Sequence, residues 1–273
     1  MAIKLPGFPR ANLDKIIQKS PIVITDDWGL RAIYYPWEAE ELRDIISRDF
    51  YKPEFLAIKK LVKEEDTVVD VGANVGLFTA LFSRQVGARG KVCAFEPVQE
   101  TFWRLLETIG LNRCQNVSAY QMAVSAESGT VTMHVFEPKY AAWNSFGSPQ
   151  FGEVKPIGKE KVKTLSLDSF SKEHQLKRIN FLKIDVEGFE KDVLEGAQNL
   201  LKNGQVDYLS FEVSEIPLKA GGRTARDSFD LLRSFGYSAY RYDPSADKFT
   251  GPVMDSSEDY QNFYASRHKM EDL

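Results

Sequence analysis

Hydrophobic and polar positions along the chain follow two alternating rhythms. From residue 66 onward, short β-branched apolar runs give way to segments whose apolar residues recur every three or four positions. These are the marks of buried strands and of amphipathic helices. Thr67-Val68-Val69-Asp70-Val71 predicts a first core strand, 75–86 a helix closed by Gly87, and 91–95 a second strand. A helix over 100–109 turns Phe102, Leu105, Leu106 and Ile109 inward and stops at Gly110; 117–122 predicts a third strand. Residues 130–136 alternate as an added strand, expected to pair with the segment 125–129. The segment 162–167 reads as a strand ending in Asp168, and 179–184 and 206–211 as strands ending in Asp185 and Glu212. Between these last two, 188–201 predicts a helix closed by Asn203-Gly204. A helix over 225–235 stops at Gly236, and 237–242 with 262–266 predict a final antiparallel pair around a polar loop. Strand alternating with helix over this length implies a parallel sheet covered on both faces.

Two stretches depart from the rhythm. Residues 21–35 predict a hairpin around Asp26-Asp27-Trp28-Gly29, followed by helices over 38–48 and 55–62, with a short amphipathic helix at 13–17 before them. We expect residues 1–60 to form a cap that helps shape a substrate pocket, and residues 61–273 the cofactor-binding domain. Residues 137–162 hold six prolines and glycines among Tyr140, Trp143, Phe146 and Phe151. A long loop of this kind is usually functional or disordered, and its aromatics oppose disorder. Trp143, Asn144 and Ser145 are its candidate substrate contacts.

Bulk properties narrow the class. With 43% hydrophobic and 27% charged residues, the chain can bury a sizeable core. A net charge of −4 gives no general attraction to nucleic acid or to anionic membrane. Two cysteines, Cys93 and Cys114, oppose a disulfide framework or a cysteine zinc site. No membrane span or signal sequence is legible, so a cytoplasmic protein with a small-molecule acceptor, free to form a homo-oligomer, is the expectation.

The chemistry concentrates at strand ends. Asp70 is followed by a turn with Gly72, Ala73, Asn74 and Gly76 that opens a helix, the way open α/β sheets build a cofactor site. Glu96-Pro97, at the end of the second strand, stands where a carboxylate accepts hydrogen bonds from a ribose diol. Asn74 occupies the place of the second glycine of pyrophosphate binders, which favours S-adenosylmethionine over NAD. The second dense stretch, Lys183-Ile184-Asp185-Val186-Glu187-Gly188, leaves a strand toward the same crevice. Asp185 and Glu187 are candidate acid–base residues; carboxylates before a helix also cap it, and for Glu187 that role is as well suited as catalysis. His134, just before the aromatic loop, is the histidine placed to reach a substrate.

Together these stretches resemble the FkbM-type methyltransferases. The resemblance runs through Val69-Asp70-Val71-Gly72-Ala73-Asn74-Val75-Gly76, Phe95-Glu96-Pro97, Thr164-Leu165-Ser166-Leu167-Asp168, Leu182 to Gly188 and Val193-Leu194-Glu195-Gly196-Ala197. It implies a class I, Rossmann-like α/β fold with a mostly parallel seven-stranded sheet and an antiparallel terminal hairpin. It also implies methyl transfer from S-adenosylmethionine to a hydroxyl of a sugar, glycan or secondary metabolite, with N-methylation as the alternative. A nicotinamide-linked oxidoreductase and a non-catalytic nucleoside-binding module are the rival readings. By the resemblance, Asp70 to Gly76 line the methionine part, Glu96 with Pro97 the ribose, and Gln121 with Ala123 the adenine edge. Asp185, with Glu187 or Glu212, would act as general base, and Asp185 would also border the cofactor. Asp185 and Glu212 also occupy the places of magnesium ligands in related O-methyltransferases, with Val213 where a further acid is expected.

Overall fold

The computed structural model describes residues 21–26, 28–35, 52–136, 156–214, 218, 222–255 and 260–273. The expected helices at 13–17 and 38–48, and Trp143, Asn144 and Ser145, lie outside them. Strands β1 (Ile22–Thr25) and β2 (Arg31–Tyr34) form the expected hairpin, and helix α1 (Lys52–Leu61) follows.

The core then alternates as the pattern requires. It runs β3 (Thr67–Val71), α2 (Leu77–Val86), β4 (Lys91–Phe95), α3 (Gln99–Asn112) and β5 (Val117–Tyr120). After an excursion through β6 (Ala123–Val124), β7 (Gly129–Val135), β8 (Gly158–Leu165) and α4 (Leu167–Glu173), it resumes with β9 (Ile179–Ile184). Helices α5 (Glu190–Gly196) and α6 (Gln198–Lys202), β10 (Val206–Ser214), α7 (Ala225–Ser234), β11 (Ser238–Asp243), β12 (Lys248–Val253) and β13 (Tyr260–Ser266) complete it.

Eight strands form the main sheet in the order β12-β11-β13-β10-β9-β3-β4-β5. The five from β10 to β5 are parallel, and β13 enters antiparallel between β10 and β11. This is the class I methyltransferase order, with β12 added at the edge of the seven expected strands. Order reverses between β3 and β9, so a crevice opens there beyond the carboxyl ends of the strands.

Alternation along each strand sorts the core into two layers. Val69, Val71, Leu182, Ile184, Phe211 and Phe263 face one side, beneath α5 to α7. Val68, Phe181 and Tyr264 face the other, against α1 and α2 through Phe55, Ile58, Phe78 and Phe82. Phe82 and Phe181 are fully buried, each ring contributing about 2–3 kcal/mol through apolar area removed from water. Helix α1 spans residue 60 and shares this layer with the main sheet.

Four local expectations are corrected. Strand β8 begins at Gly158, inside the stretch read as loop, and β7 pairs with β8 instead of with 125–129. Lys159, Lys161 and Lys163 point outward from β8, and the alternate positions are Glu160, Val162 and Thr164, so the alternation holds only one apolar side chain and carries a weak signal. Asp168 ends no strand; it lies in the first turn of α4, and its carboxylate accepts hydrogen bonds from the backbone N–H groups of Asn199 and Leu200. The helix expected over 188–201 is two helices meeting at Ala197, where Gly196 packs against the Ser125 carbonyl.

One glycine fixes the relation of the two central strands. Gly72 has φ +79°, and a Cβ built on it would lie 1.7 Å from the Asp185 carbonyl oxygen. Gly72→Ala is expected to destabilise the protein by about 3 kcal/mol or more. Gly110→Ala, in open space on α3, is expected to stabilise by up to about 1 kcal/mol. Urea unfolding of both variants checks the contrast.

Candidate active site

The crevice at the switch point is built first from backbone. The N–H groups of Gly72 and Ala73 both donate to the Phe95 carbonyl, at 3.0 and 2.9 Å, curling the turn over the end of β4. Asn74 adopts φ +49° and Gly76 φ +88°, and Gly76 opens α2. Asn74 N–H and Val98 N–H each donate to one oxygen of Glu96, at 3.1 and 3.0 Å, so the turn wraps around that carboxylate. Burial pushes the Glu96 carboxyl up to about 7, against the pull of those two amides. Asp70 is fully buried; its Oδ2 accepts from the Thr79 hydroxyl at 2.5 Å, while its Oδ1 is buried without a partner. A buried acceptor left unpaired costs about 1–3 kcal/mol, which a donor arriving with a ligand would offset.

Strand register lines the other groups up in two rows on the α1–α2 side of the sheet. Asp70, Lys183, Ser210 and Tyr264 are neighbours across β3, β9, β10 and β13. One step nearer the carboxyl ends lie Asp185 and, on adjacent strands, Glu212 opposite Asn262. Lys183 donates to Asp185 Oδ2 at 2.7 Å, and its ammonium lies 4.7 Å from the centre of the Phe78 ring. Burial alone would lower the Lys183 pKa, yet Asp185, Asp70 and Glu212 together hold it above the usual lysine value. In turn, burial works against an ionised Asp185, and Lys183 with a hydrogen bond from Glu212 brings its carboxyl below the usual range. Glu212 is the reverse: burial and the nearby Asp185 hold it protonated far above the usual range. The pair therefore shares one proton, resident on Glu212.

Beyond β9 the chain turns through Glu187 and Gly188, both at positive φ. Burial and Asp185 raise the Glu187 carboxyl well above its usual value. Asp185, Glu187 and Glu212 each offer an oxygen within 4.8 Å of the others. With the Lys183 ammonium already on Asp185, this set carries its own counter-charge and gives magnesium, which takes a shell of oxygens, no support; we derive no step through a metal. Glu190, buried at the start of α5, accepts from Gly188 N–H at 3.1 Å, and burial pushes it up to about 7.

The remaining sequence candidates are more scattered. Pro97 is half-buried beside Glu96, and Gln121 lies exposed just beyond β5. Ala123 is buried in the small cluster of Val98, Met133 and Val162. His134, on β7 of the separate three-stranded sheet, projects from the face opposite Met133 and is not part of the acid cluster. Two groups lie close to the acids without having been singled out. They are Glu54 of α1 and Asn262 of β13, whose side-chain amide donates to Glu54 at 3.0 Å.

The Methyltransferase FkbM domain matches residues 70–239, more than half of the chain. The chain belongs to the FkbM methyltransferase family. A hexuronic acid methyltransferase, AglP, of Haloferax volcanii is 31% identical over 151 residues, which are 55% of this chain and 57% of that protein. The 2-O-methyltransferase NoeI of Sinorhizobium fredii is 28% identical over 189 residues, 65% of this chain and 75% of that one. The chain thus spans less than two-thirds of the length of the archaeal relative. A SAM-dependent O-methyltransferase from Thermotoga maritima superposes with TM-score 0.43 at 14% identity, covering 93% of this chain and 81% of that chain; the strand order, not this likeness, carries the fold assignment. The FkbM match takes in Asp70, Glu96, Lys183, Asp185 and Glu212, and leaves Glu54 and Asn262 outside. Among the described residues no helix is long and apolar enough to cross a membrane.

Two variants test the electrostatics of this FkbM site. Lys183→Met leaves Asp70 and Asp185 without their cation and is expected to cost about 3 kcal/mol at pH 8, the lower end for a broken buried pair because Asp185 keeps contact with solvent. The cost should shrink toward pH 5 as the two carboxylates take up protons. For Glu190, the folded value of about 7 lies above the ordinary 4.5, so the folded chain binds the extra proton between these pH values. Its contribution is therefore best near pH 4.5 and is lost as pH rises through 7, by about 3 kcal/mol in all. Glu190→Gln is expected to flatten the fall in thermal midpoint between pH 5 and 8 and to be no less stable than wild type at pH 8. Glu96, shifted in the same direction, keeps the rest of the slope.

Proposed function

We propose that this methyltransferase uses S-adenosylmethionine to methylate a hydroxyl of a small molecule, a sugar, glycan or secondary metabolite. The observation that carries the reading is a juxtaposition at the switch point. An unpartnered, fully buried oxygen of Asp70 and the partly exposed carboxylate of Asp185 stand at the carboxyl ends of the adjacent strands β3 and β9, with the Lys183 ammonium between them. The activity named for the Sinorhizobium relative, methylation at a 2-O position, agrees with a hydroxyl acceptor. Membership in the FkbM family removes support from the nicotinamide-linked alternative.

When bound, S-adenosylmethionine supplies a methyl group already attached to a good leaving group. Asp70 Oδ1 accepts from the cofactor's amino group, and the carboxylates along the crevice favour its positive charge. Each Glu96 oxygen, having accepted one amide, retains capacity for a ribose hydroxyl. Gly72 and Gly76 let the turn pack directly on the Asp185 carbonyl and on Leu105, which fixes the shape of the cradle, and Gln121 would meet the adenine edge. Asp185 would accept a hydrogen bond from the acceptor hydroxyl, align its oxygen with the methyl group, and take its proton as the oxygen–carbon bond forms and the sulfur–methyl bond breaks, with S-adenosylhomocysteine as the leaving group. Glu212, which keeps its own proton, donates a hydrogen bond to Asp185 and steadies the ionised form that accepts the new one.

Calorimetric titration tests the cofactor. Wild type is expected to bind S-adenosylmethionine and not NAD, with affinity falling about 10- to 100-fold in Asp70→Asn, the worth of a hydrogen bond between charged groups. Asp185→Asn is expected to keep cofactor affinity and lose about 10²- to 10⁴-fold in turnover, read as S-adenosylhomocysteine release with methyl glycosides as acceptors. Binding of NAD alone would sink the reading, and cofactor binding with Asp185→Asn as active as wild type would remove Asp185 from the chemistry.

A further inference from the structure

Glu54 belongs to none of the sequence motifs and lies before the FkbM match begins, yet it overhangs the acid cluster. It sits in the first turn of α1, the helix that packs on the α1–α2 side of the sheet. Its Oε1 accepts from Asn262 Nδ2 at 3.0 Å, and its Oε2 is buried with no partner. Asn262 is itself fixed opposite Glu212 in the β10–β13 register. Lys183 and Asp185 both act on Glu54 through their charges, which places it in the field of the same crevice.

Two physical facts limit what can meet that oxygen. Among the described residues the crevice gathers Glu54, Asp70, Asp185, Glu187 and Glu212 around one ammonium, that of Lys183. That ammonium is already bound to Asp185, so an anionic group on the acceptor would enter beside an ionised carboxylate with no unpaired cation among these groups to receive it. A hydroxyl, in contrast, donates to an ionised carboxylate and accepts from a protonated one, so it satisfies Glu54 in either state.

We propose that Glu54, held in place by Asn262, is a specificity-determining residue that binds a second hydroxyl of the acceptor. The acceptor is accordingly a neutral polyhydroxylated molecule rather than a uronic acid. The inference rests on the methyl-transfer reading above and adds to it the charge class of the substrate and the residue that reads it.

Two probes of one shape and different charge decide the matter: methyl β-D-glucopyranoside and methyl β-D-glucopyranosiduronic acid. Release of S-adenosylhomocysteine is followed against probe concentration for wild type, Glu54→Gln and Glu54→Ala. Calorimetric affinity for S-adenosylmethionine and the thermal midpoint serve as controls of folding. The expected result is a kcat/KM for the neutral probe at least about tenfold above that for the uronate, by the loss of one hydrogen bond to a charged group. Glu54→Gln and Glu54→Ala should raise KM for the neutral probe about tenfold, change kcat less, and narrow the preference, with cofactor affinity unchanged. A preference for the uronate, or one that Glu54→Gln leaves intact, overturns the proposal. So does a wild type that binds S-adenosylmethionine and methylates neither probe, an outcome that leaves the cofactor reading standing. A wild type that does not bind S-adenosylmethionine overturns both.

Discussion

A single buried cation organises the charged half of this protein. Lys183 is nearly inaccessible to water, lies under the Phe78 ring, and sits between Asp70 on one neighbouring strand and Asp185 two residues along its own. Burying carboxylates this densely is costly unless a counter-charge and hydrogen bonds accompany them. The ammonium lets Asp185 stay ionised, which in turn leaves the proton on Glu212. Remove that cation and the carboxylates must protonate or the strand ends must part. The distribution of protons around Asp185 is therefore a consequence of where a lysine falls in the β9 register.

The central architecture was legible because it rests on local rules. Val68, Val69 and Val71 followed by Gly72 and Gly76 announce a buried strand, a close approach and a helix start, and each does what its residue type permits. Terminal glycines and the two periods placed α2, α3, α7 and the parallel strands to within a few residues. Local rules failed where a segment is peripheral. Strand β12, with Gly251 and Pro252 in its six residues, has little alternation, and it is tolerated because it lies at the sheet edge. Strand β8 was hidden by its lysines, and Asp168 was misread because a carboxylate after an apolar run looks the same whether it ends a strand or caps a distant helix.

The site was legible in the same uneven way. Asp70, Glu96, Asp185 and Glu212 stand at ends of strands, where fold-level reasoning looks for ligands, and the fold gathers them on one crevice. His134 reads as a candidate because it precedes the aromatic loop, but it sits on the opposite face of a second sheet from Met133 and Val98. Glu54 gave no signal because an acid in the first turn of a helix is what the helix dipole favours anyway. Asn262 lies in a strand whose role, from its residues, is to close the sheet. Only the folded register brings the two together.

The contact between Glu54 and Asn262 also bears on how the site comes into being. It spans 208 positions of the chain, whereas Thr67 and Asn180, which fasten the first core strand to the fourth, are 113 apart. Loops of this length close slowly, and non-local pairings follow local ones in folding. During synthesis from the N-terminus, the cofactor half of the crevice can therefore assemble while the ribosome is still reading the segment that carries Asn262. Glu54 must wait, exposed or loosely held, for one of the last strands to emerge. On the function proposed above, a nascent chain in that interval would have its cofactor turn in place before its acceptor-reading pair, so binding competence would precede selectivity.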